Sequence, residues 1–446
     1  MPSRTHPVAS ALAADDALRA RRHLIGLYVL TGIAVATWLS RLPSIRTALD
    51  LSASELGSLL LVGSVGSLAM VVFAGALTAR CGSRCTLITA AVMFAVGNSL
   101  VGLGPAVGSV AVLGFGVLLA SSSYALSNVP MNLETVVIER RIGRTVVPQF
   151  HAAFSVGTVA GSLLGAAVSW AQVPVVTHFV ALSVLTLVIR LIVVPGAVLP
   201  APQAAETSTL NPARRAGLRT TLAAWREPRT LLIGVIVMSA ALSEGAANNW
   251  LTIAVVDGFD RTEALAAIVF GVFVGSMTAA RLLGSVLIDR HGRVRVLVTS
   301  GTLSLAGLIV FGFAPSLPLA ALGVAAWGLG TGLVVPIGMA AVAGDRVHMA
   351  GRVAVLSAFA SVSAIVAPPL LGIAAESMGV RHALLLVGVG MVATILLART
   401  VRREQADPGP CQELPRNAEA GAPPATSTPA LEPARGARSP VPVGTC

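Results

Sequence analysis

The sequence predicts an all-α membrane protein with twelve transmembrane helices, divided six and six. Three observations predict it. Of 446 residues, 55% are hydrophobic and 11% charged, with a mean hydropathy of +0.82. Soluble domains carry about 25% charged residues, so this chain has too few charges to cover a wetted surface and too much apolar length for one or two soluble cores. The apolar residues also come in runs of about 20, the length a helix needs to cross a hydrocarbon layer ~30 Å thick. Finally, arginines crowd into alternate loops between those runs.

In order, the runs cover residues 23–41, 55–77, 86–104, 108–136, 148–170, 174–195, 230–256, 263–287, 295–314, 317–342, 352–376 and 380–399. In lipid every backbone N–H and C=O must be bonded internally. None of the runs alternates apolar and polar residues like a barrel strand, so each reads as a helix. The first follows Arg19, Arg21 and Arg22, as a signal peptide would. Eleven further runs follow it and no small-residue cleavage site precedes a soluble domain, so it reads as a span. Residues 1–22 read as a cytoplasmic N-terminal segment, 23–195 as the first bundle and 230–400 as the second. Between the bundles, 196–229 is a cytoplasmic loop rich in Pro, Thr, Ala and Arg. The tail 401–446 carries nine Pro among Ala, Arg, Glu and Ser and is expected to be disordered.

All 31 basic residues are Arg, and the net charge is +11. Arg41, Arg46, Arg261 and Arg381 fall on one face of the membrane, Arg190 and Arg281 lie within spans, and the other 25 fall on the opposite face. Cytoplasmic loops hold such an excess, so both termini are expected in the cytoplasm of a cell sheltered by this inner or plasma membrane. The basic loops account for the charge without nucleic acid, and 4% aromatic residues make a poor stacking platform for bases. A chain without Lys has no Walker A motif and no Schiff-base lysine, which argues against a single-chain ATP-driven pump. Cys81 and Cys85 share a short basic loop with no third Cys or His beside them, while Cys411 and Cys446 lie in the tail. Free thiols are expected, with no metal site and no cofactor.

The two halves repeat. Arg80-x-Gly82 and Arg290-x-Gly292 stand 210 residues apart, and the same offset pairs Ser52, which opens a Ser-x-x-Glu capping box, with Thr262. In each loop the Gly permits a tight turn between helices. The segment Leu287-Ile288-Asp289-Arg290-His291-Gly292-Arg293 resembles the G-x-L-x-D-R-x-G-R signature of the major facilitator superfamily. The first copy keeps Arg80, Gly82 and Arg84 but has Ala79 where the family has Asp. The resemblance spans about residues 20–400 and implies two six-helix bundles around a central cavity, working by alternating access. It also implies that Arg80, Gly82, Arg84, Asp289, Arg290, Gly292 and Arg293, joined by Arg281, latch the cytoplasmic side. Trp38–Arg46 and Gln149–Gly157 look similar to bacterial fucose-permease-like members.

Polar groups inside spans are costly and tend to line cavities. At 100° per residue, Tyr28, Thr31 and Trp38 share a face of span one, and Tyr124, Asn128 and Asn132 share a face of span four. Glu244, Asn248 and Thr252 share a face of span seven. Tyr28, Thr31, Trp38, Tyr124, Asn128, Asn132 and Asn248, with Trp327 of span ten, are the candidate substrate-cavity residues, the resemblance implying that spans one, four, seven and ten face the cavity. Asn pairs also join helices, so helix–helix contact is the alternative for Asn128 and Asn132. Glu244, Glu134 and His151 are the candidate coupling groups, titratable side chains within spans. Glu134 lies off the stripe of span four unless Pro130 shifts its phase. Gly157, Gly161 and Gly165 give span five a face for close helix approach.

The expected function is secondary active transport of a small molecule, with a proton or another ion as coupling partner and the lipid bilayer as surroundings. Uptake of a sugar-like or other polar solute is the first reading, and proton-driven efflux of a drug or metabolite the alternative. The chain is expected to act as a monomer, with no nucleic acid. An enzyme would need a catalytic cluster, but the seven His are scattered. A channel would need a filter-like loop, which the sequence lacks.

Overall fold

The computed structural model of the chain describes residues 7–144, 146–199, 223–342 and 349–402. Within it, Ala53–Ala106 form one helical run of 54 residues. Straight, such a run would be about 80 Å long, more than twice the hydrocarbon layer. Gly82 breaks it, with φ 80° and ψ 162°, a conformation open essentially to glycine alone. The run is therefore the second and third spans joined by a one-residue turn.

The first span is Asp15–Ser40, and the fourth to sixth are Val110–Ile142, Val147–Trp170 and Val175–Ala197. Pro228–Phe259, Glu263–His291, Arg293–Phe313, Leu317–Val342, Gly351–Met378 and Val380–Val401 are the seventh to twelfth. With the kinked run counted twice, twelve spans lie among the described residues. The first helix extends back to Pro7, so helix replaces much of the segment expected to precede it. Most of the central loop and all of the tail beyond Arg402 lie outside the described residues.

The repeat is visible in the backbone. Gly292, at φ 78° and ψ 154°, turns span eight into span nine as Gly82 turns span two into span three. Asp50 and Asp260, also 210 residues apart, both adopt φ 50°. Just after them, Ser52 Oγ accepts from Glu55 N at 3.2 Å and Thr262 Oγ1 from Leu265 N at 3.4 Å, capping spans two and eight.

Small residues set the packing. A Cβ on Gly157 would lie 2.1 Å from the Val29 carbonyl oxygen, and one on Gly161 2.5 Å from that of Ile33. The glycine face of span five is thus pressed onto span one, where van der Waals contact replaces the hydrophobic drive that lipid cannot supply. The two halves meet along spans two and eleven, where Gly57 abuts Pro368 and Gly372 abuts Ala53. They meet again along spans five and eight, where Ser162 faces Gly271. Val72, Ile192, Val389 and Leu396 are 72–74% exposed, an apolar outer surface suited to hydrocarbon.

Candidate functional site

Between the halves lies a cavity of about 540 Å³. Span one contributes Thr31 and Trp38, span two Ser64 and Ser67, span three Phe94 and Asn98, and span four Ser121 and Tyr124. Thr158 comes from span five and Arg190 from span six. The second half supplies Glu244, Asn248 and Asn249 from span seven, Arg281 from span eight and Ser361 from span eleven. Apolar side chains, among them Val35, Leu39, Val101 and Val117, complete the wall.

Three charged residues line it: Arg190, Glu244 and Arg281. Arg281 Nη2 donates to Glu244 Oε2 at 2.9 Å, and its Nε donates to the Gly332 carbonyl at 3.3 Å. The paired side chains are 35% and 30% exposed although they sit within spans, so water reaches them through the cavity. Arg190 is 6% exposed. Its Nη2 donates to Thr31 Oγ1 at 3.3 Å, and its guanidinium lies 5.0 Å from the centre of the Phe94 ring.

Polar contacts joining the halves gather at the arginine-poor end of the bundles. Glu263, in the first turn of span eight, accepts from Ser44 N at 3.0 Å, Ser44 Oγ at 2.7 Å and Ser169 Oγ at 2.8 Å. Arg41 Nη1 lies 3.1 Å from the same carboxylate, with the two side chains only 5% and 10% exposed. Arg46 pairs with Asp257, Ser54 bonds Glu376, and Thr252 Oγ1 donates to the Leu39 carbonyl at 3.0 Å. This end is sealed.

The structure places the sequence candidates in three groups. Thr31, Trp38, Tyr124, Asn248 and Glu244 meet at the cavity. Tyr28 and Asn132 meet outside its lining, where the Tyr28 hydroxyl donates to Asn132 Oδ1 at 3.1 Å, and Asn132 Nδ2 donates to the Asn128 carbonyl at 2.9 Å. The exposed ring of His151 stands edge-on to Tyr28, with centroids 6.2 Å apart. Glu134 is buried nearer the arginine-rich end and accepts from Leu199 N at 3.4 Å.

Besides Tyr28, Asn128 and Asn132, which the sequence expected at the cavity and which lie outside its lining, two residues are placed differently from the sequence expectation. Trp327, a candidate for the cavity, is fully buried in the second half, edge-on to Phe273 with its Nε1 donating to Ser243 Oγ at 2.7 Å. Arg281, expected at the latch, reaches the cavity because the Glu244 carboxylate on the neighbouring span draws it there. At the glycine turns Arg80, Arg84, Asp289 and Arg290 are exposed, and Arg293 Nη1 donates to the Ala340 carbonyl of its own half at 3.2 Å.

Sequence reasoning missed Arg190, Asn98 and the bridging role of Glu263. For Arg190 a signal existed: Ser183, Thr186 and Arg190 are spaced at three and four residues, one face of a helix. Asn98 Nδ2 donates to Ser183 Oγ on that face at 3.2 Å. For Glu263 the sequence shows no such signal, since its partners lie in the other half of the chain.

Residues 233–439 match the sequence profile of the Major Facilitator Superfamily. An uncharacterized transporter of Sinorhizobium fredii is 26% identical over 377 residues, covering 84% of this chain and 96% of that protein. An uncharacterized MFS-type transporter of Yersinia pestis is 28% identical, covering 84% and 94% respectively. Among solved structures, the nucleoside transporter NupG superposes with a TM-score of 0.69 at 13% identity, over 86% of this chain and all of that one. The E. coli fucose:proton symporter FucP gives 0.58 at 14% identity, over 86% of this chain and 98% of that one. At such identities the likeness is one of fold.

Proposed function

The protein is a transporter of the major facilitator superfamily, and from that premise we propose that it moves a small polar solute by alternating access, coupled to protons through Glu244. The observation that carries this reading is the cavity between the halves, polar and charged within the membrane, with the Glu263 cluster sealing one end. If the arginine-rich face is cytoplasmic, as the charge bias expects, the sealed end faces outward and the cavity is open inward.

Glu244 suits the coupling role because its partner holds it only weakly. An ion pair this exposed to water is worth about 0–1 kcal/mol, so a proton arriving through the cavity can end it. Protonated Glu244 releases Arg281 from its side of the cavity; deprotonated Glu244 recaptures it. Each protonation state thus favours its own arrangement of spans seven and eight, the differential that any coupled transition requires. That FucP, of the same fold, is named a fucose:proton symporter supports protons as the ion and uptake as the direction. Efflux is the second reading, favoured by Val35, Leu39, Val101 and Val117 in the wall.

The test is transport in proteoliposomes under an imposed pH gradient. Gradient-driven accumulation of a solute by the wild type, lost in Glu244→Gln while solute exchange at equal concentrations continues, supports the reading. Undiminished accumulation by Glu244→Gln removes Glu244 from the mechanism. The sign of the gradient that drives accumulation decides between uptake and efflux.

A further inference from the structure

Arg190 is the charge in the cavity with no opposite number. Its guanidinium carries five N–H donors and no acceptor, and the structure gives it one hydrogen bond, to the neutral Thr31 hydroxyl, and the face of Phe94. That hydroxyl is itself committed, donating to the Leu27 carbonyl at 2.7 Å. Among the described residues no carboxylate is ion-paired with Arg190; Glu244, the one acid lining the cavity, is taken by Arg281. Two arginines and one glutamate leave the cavity with one positive charge uncompensated.

A buried cation is tolerated when paired and costly when not. Burial within a protein span marks such a residue as part of a substrate or ion path. Here the burial is nearly complete, and the residue lines the cavity rather than the lipid. Thr31 and Phe94 hold the guanidinium from two sides, fixing the planar fork that matches an oxyanion. Asn98 and Tyr124 line the same cavity, and apolar Val101 and Val117 stand beside them. A neutral solute in this place would leave the arginine as it is, uncompensated.

We propose that Arg190 is the docking site for the anionic group of the transported solute, a small organic anion whose carboxylate or phosphate oxygens bond the guanidinium while its carbon skeleton rests on the apolar wall. This rests on the transport reading of the same cavity and names the substrate class within it. Loss of a hydrogen-bonded charge partner weakens binding by about 10- to 100-fold.

The experiment is ligand stabilisation of the full chain in nanodiscs. The panel is lactate, succinate, benzoate and glycerol phosphate, beside the neutral glycerol, fucose and uridine. At least one anion is expected to raise the melting point of the wild type, because only a bound solute does so, and carboxylates against phosphates show which oxyanion fits. Arg190→Gln is expected to weaken that anion by roughly 10- to 100-fold. Arg190→Lys keeps the buried charge, and so the fold, but loses the fork; it is expected to bind the anion more weakly than the wild type. No stabilisation by any anion, or an anion bound equally well by Arg190→Lys and the wild type, overturns the proposal. So does a neutral solute that stabilises the wild type and Arg190→Gln alike. An anion bound through Arg190 that never crosses the bilayer in proteoliposomes refutes transport and leaves the docking site standing.

Discussion

Replacing Glu263 with Gln should open the sealed end of the protein. The carboxylate accepts from Ser44 N, Ser44 Oγ and Ser169 Oγ and lies beside the Arg41 guanidinium, and all of these groups belong to the other half. Gln keeps the shape but removes the charge and turns one acceptor into an NH₂ donor among donors. Breaking a buried ion pair by removing one partner costs about 3–5 kcal/mol. The contacts exist only while this end is closed, so the loss falls on the closed state alone. Taking about 3 kcal/mol, since water re-solvates part of the cluster, the ratio of open to closed forms rises roughly 100-fold. Ser162 reports on it. It is buried in span five against Gly271 of span eight, where the halves meet. With Cys81, Cys85, Cys411 and Cys446 replaced by Ser, a single Ser162→Cys should react slowly with a membrane-impermeant maleimide from the arginine-poor side. In the Glu263→Gln background the rate should rise by up to about 100-fold, tracking the open population. An unchanged rate in a protein of unchanged folding would refute the claim that the Glu263 cluster holds this end shut.

Three further expectations follow from the same contacts. Gly157→Ala, whose Cβ would stand 2.1 Å from the Val29 carbonyl oxygen, should lower stability by about 1–3 kcal/mol; Gly75→Ala, with nothing within 4 Å, is the control. Melting in detergent compares them, and equal melting points would contradict the packing of span five on span one. Gly82→Ala and Gly292→Ala should each cost about 1–3 kcal/mol, because both turns use a backbone region that alanine adopts only under strain. A loss in one and not the other, read by the same melting assay, would break the equivalence of the two turns. Glu244→Gln should retain equal-concentration exchange while losing accumulation under a pH gradient, measured with labelled solute in proteoliposomes.

Much of the fold was legible because lipid leaves the chain few choices. Long apolar runs must be helices, and a glycine between two such runs can turn them, so Gly82 and Gly292 marked their turns in the sequence. The stripes on spans one, four and seven were legible too, and Thr31, Trp38, Tyr124, Glu244 and Asn248 do meet in one cavity. What a stripe does not carry is the direction in which its helix faces. Trp327 belongs to a polar-looking face of span ten, yet that face looks into the second half, where Ser243 takes its N–H. Nor does a sequence show which charges lie side by side. Arg281 stands 37 residues from Glu244 and Arg41 stands 222 from Glu263, and only the crossing of helices makes them neighbours. Arg190 escaped because a lone arginine in a span reads equally as one that snorkels to the interface; its neighbours Phe94 and Thr31 come from other spans.

Alternating access itself is tested most directly at Asn248, on the cavity wall. A single Asn248→Cys in a cysteine-free chain should react with an impermeant thiol reagent applied from the arginine-rich side and resist it from the arginine-poor side. Adding Glu263→Gln should expose it to the arginine-poor side and slow its reaction from the other. Equal reactivity from both sides at once would describe a channel, and protection that ignores Glu263→Gln would leave the cavity with one door; either result contradicts a transporter that rocks between two closed ends.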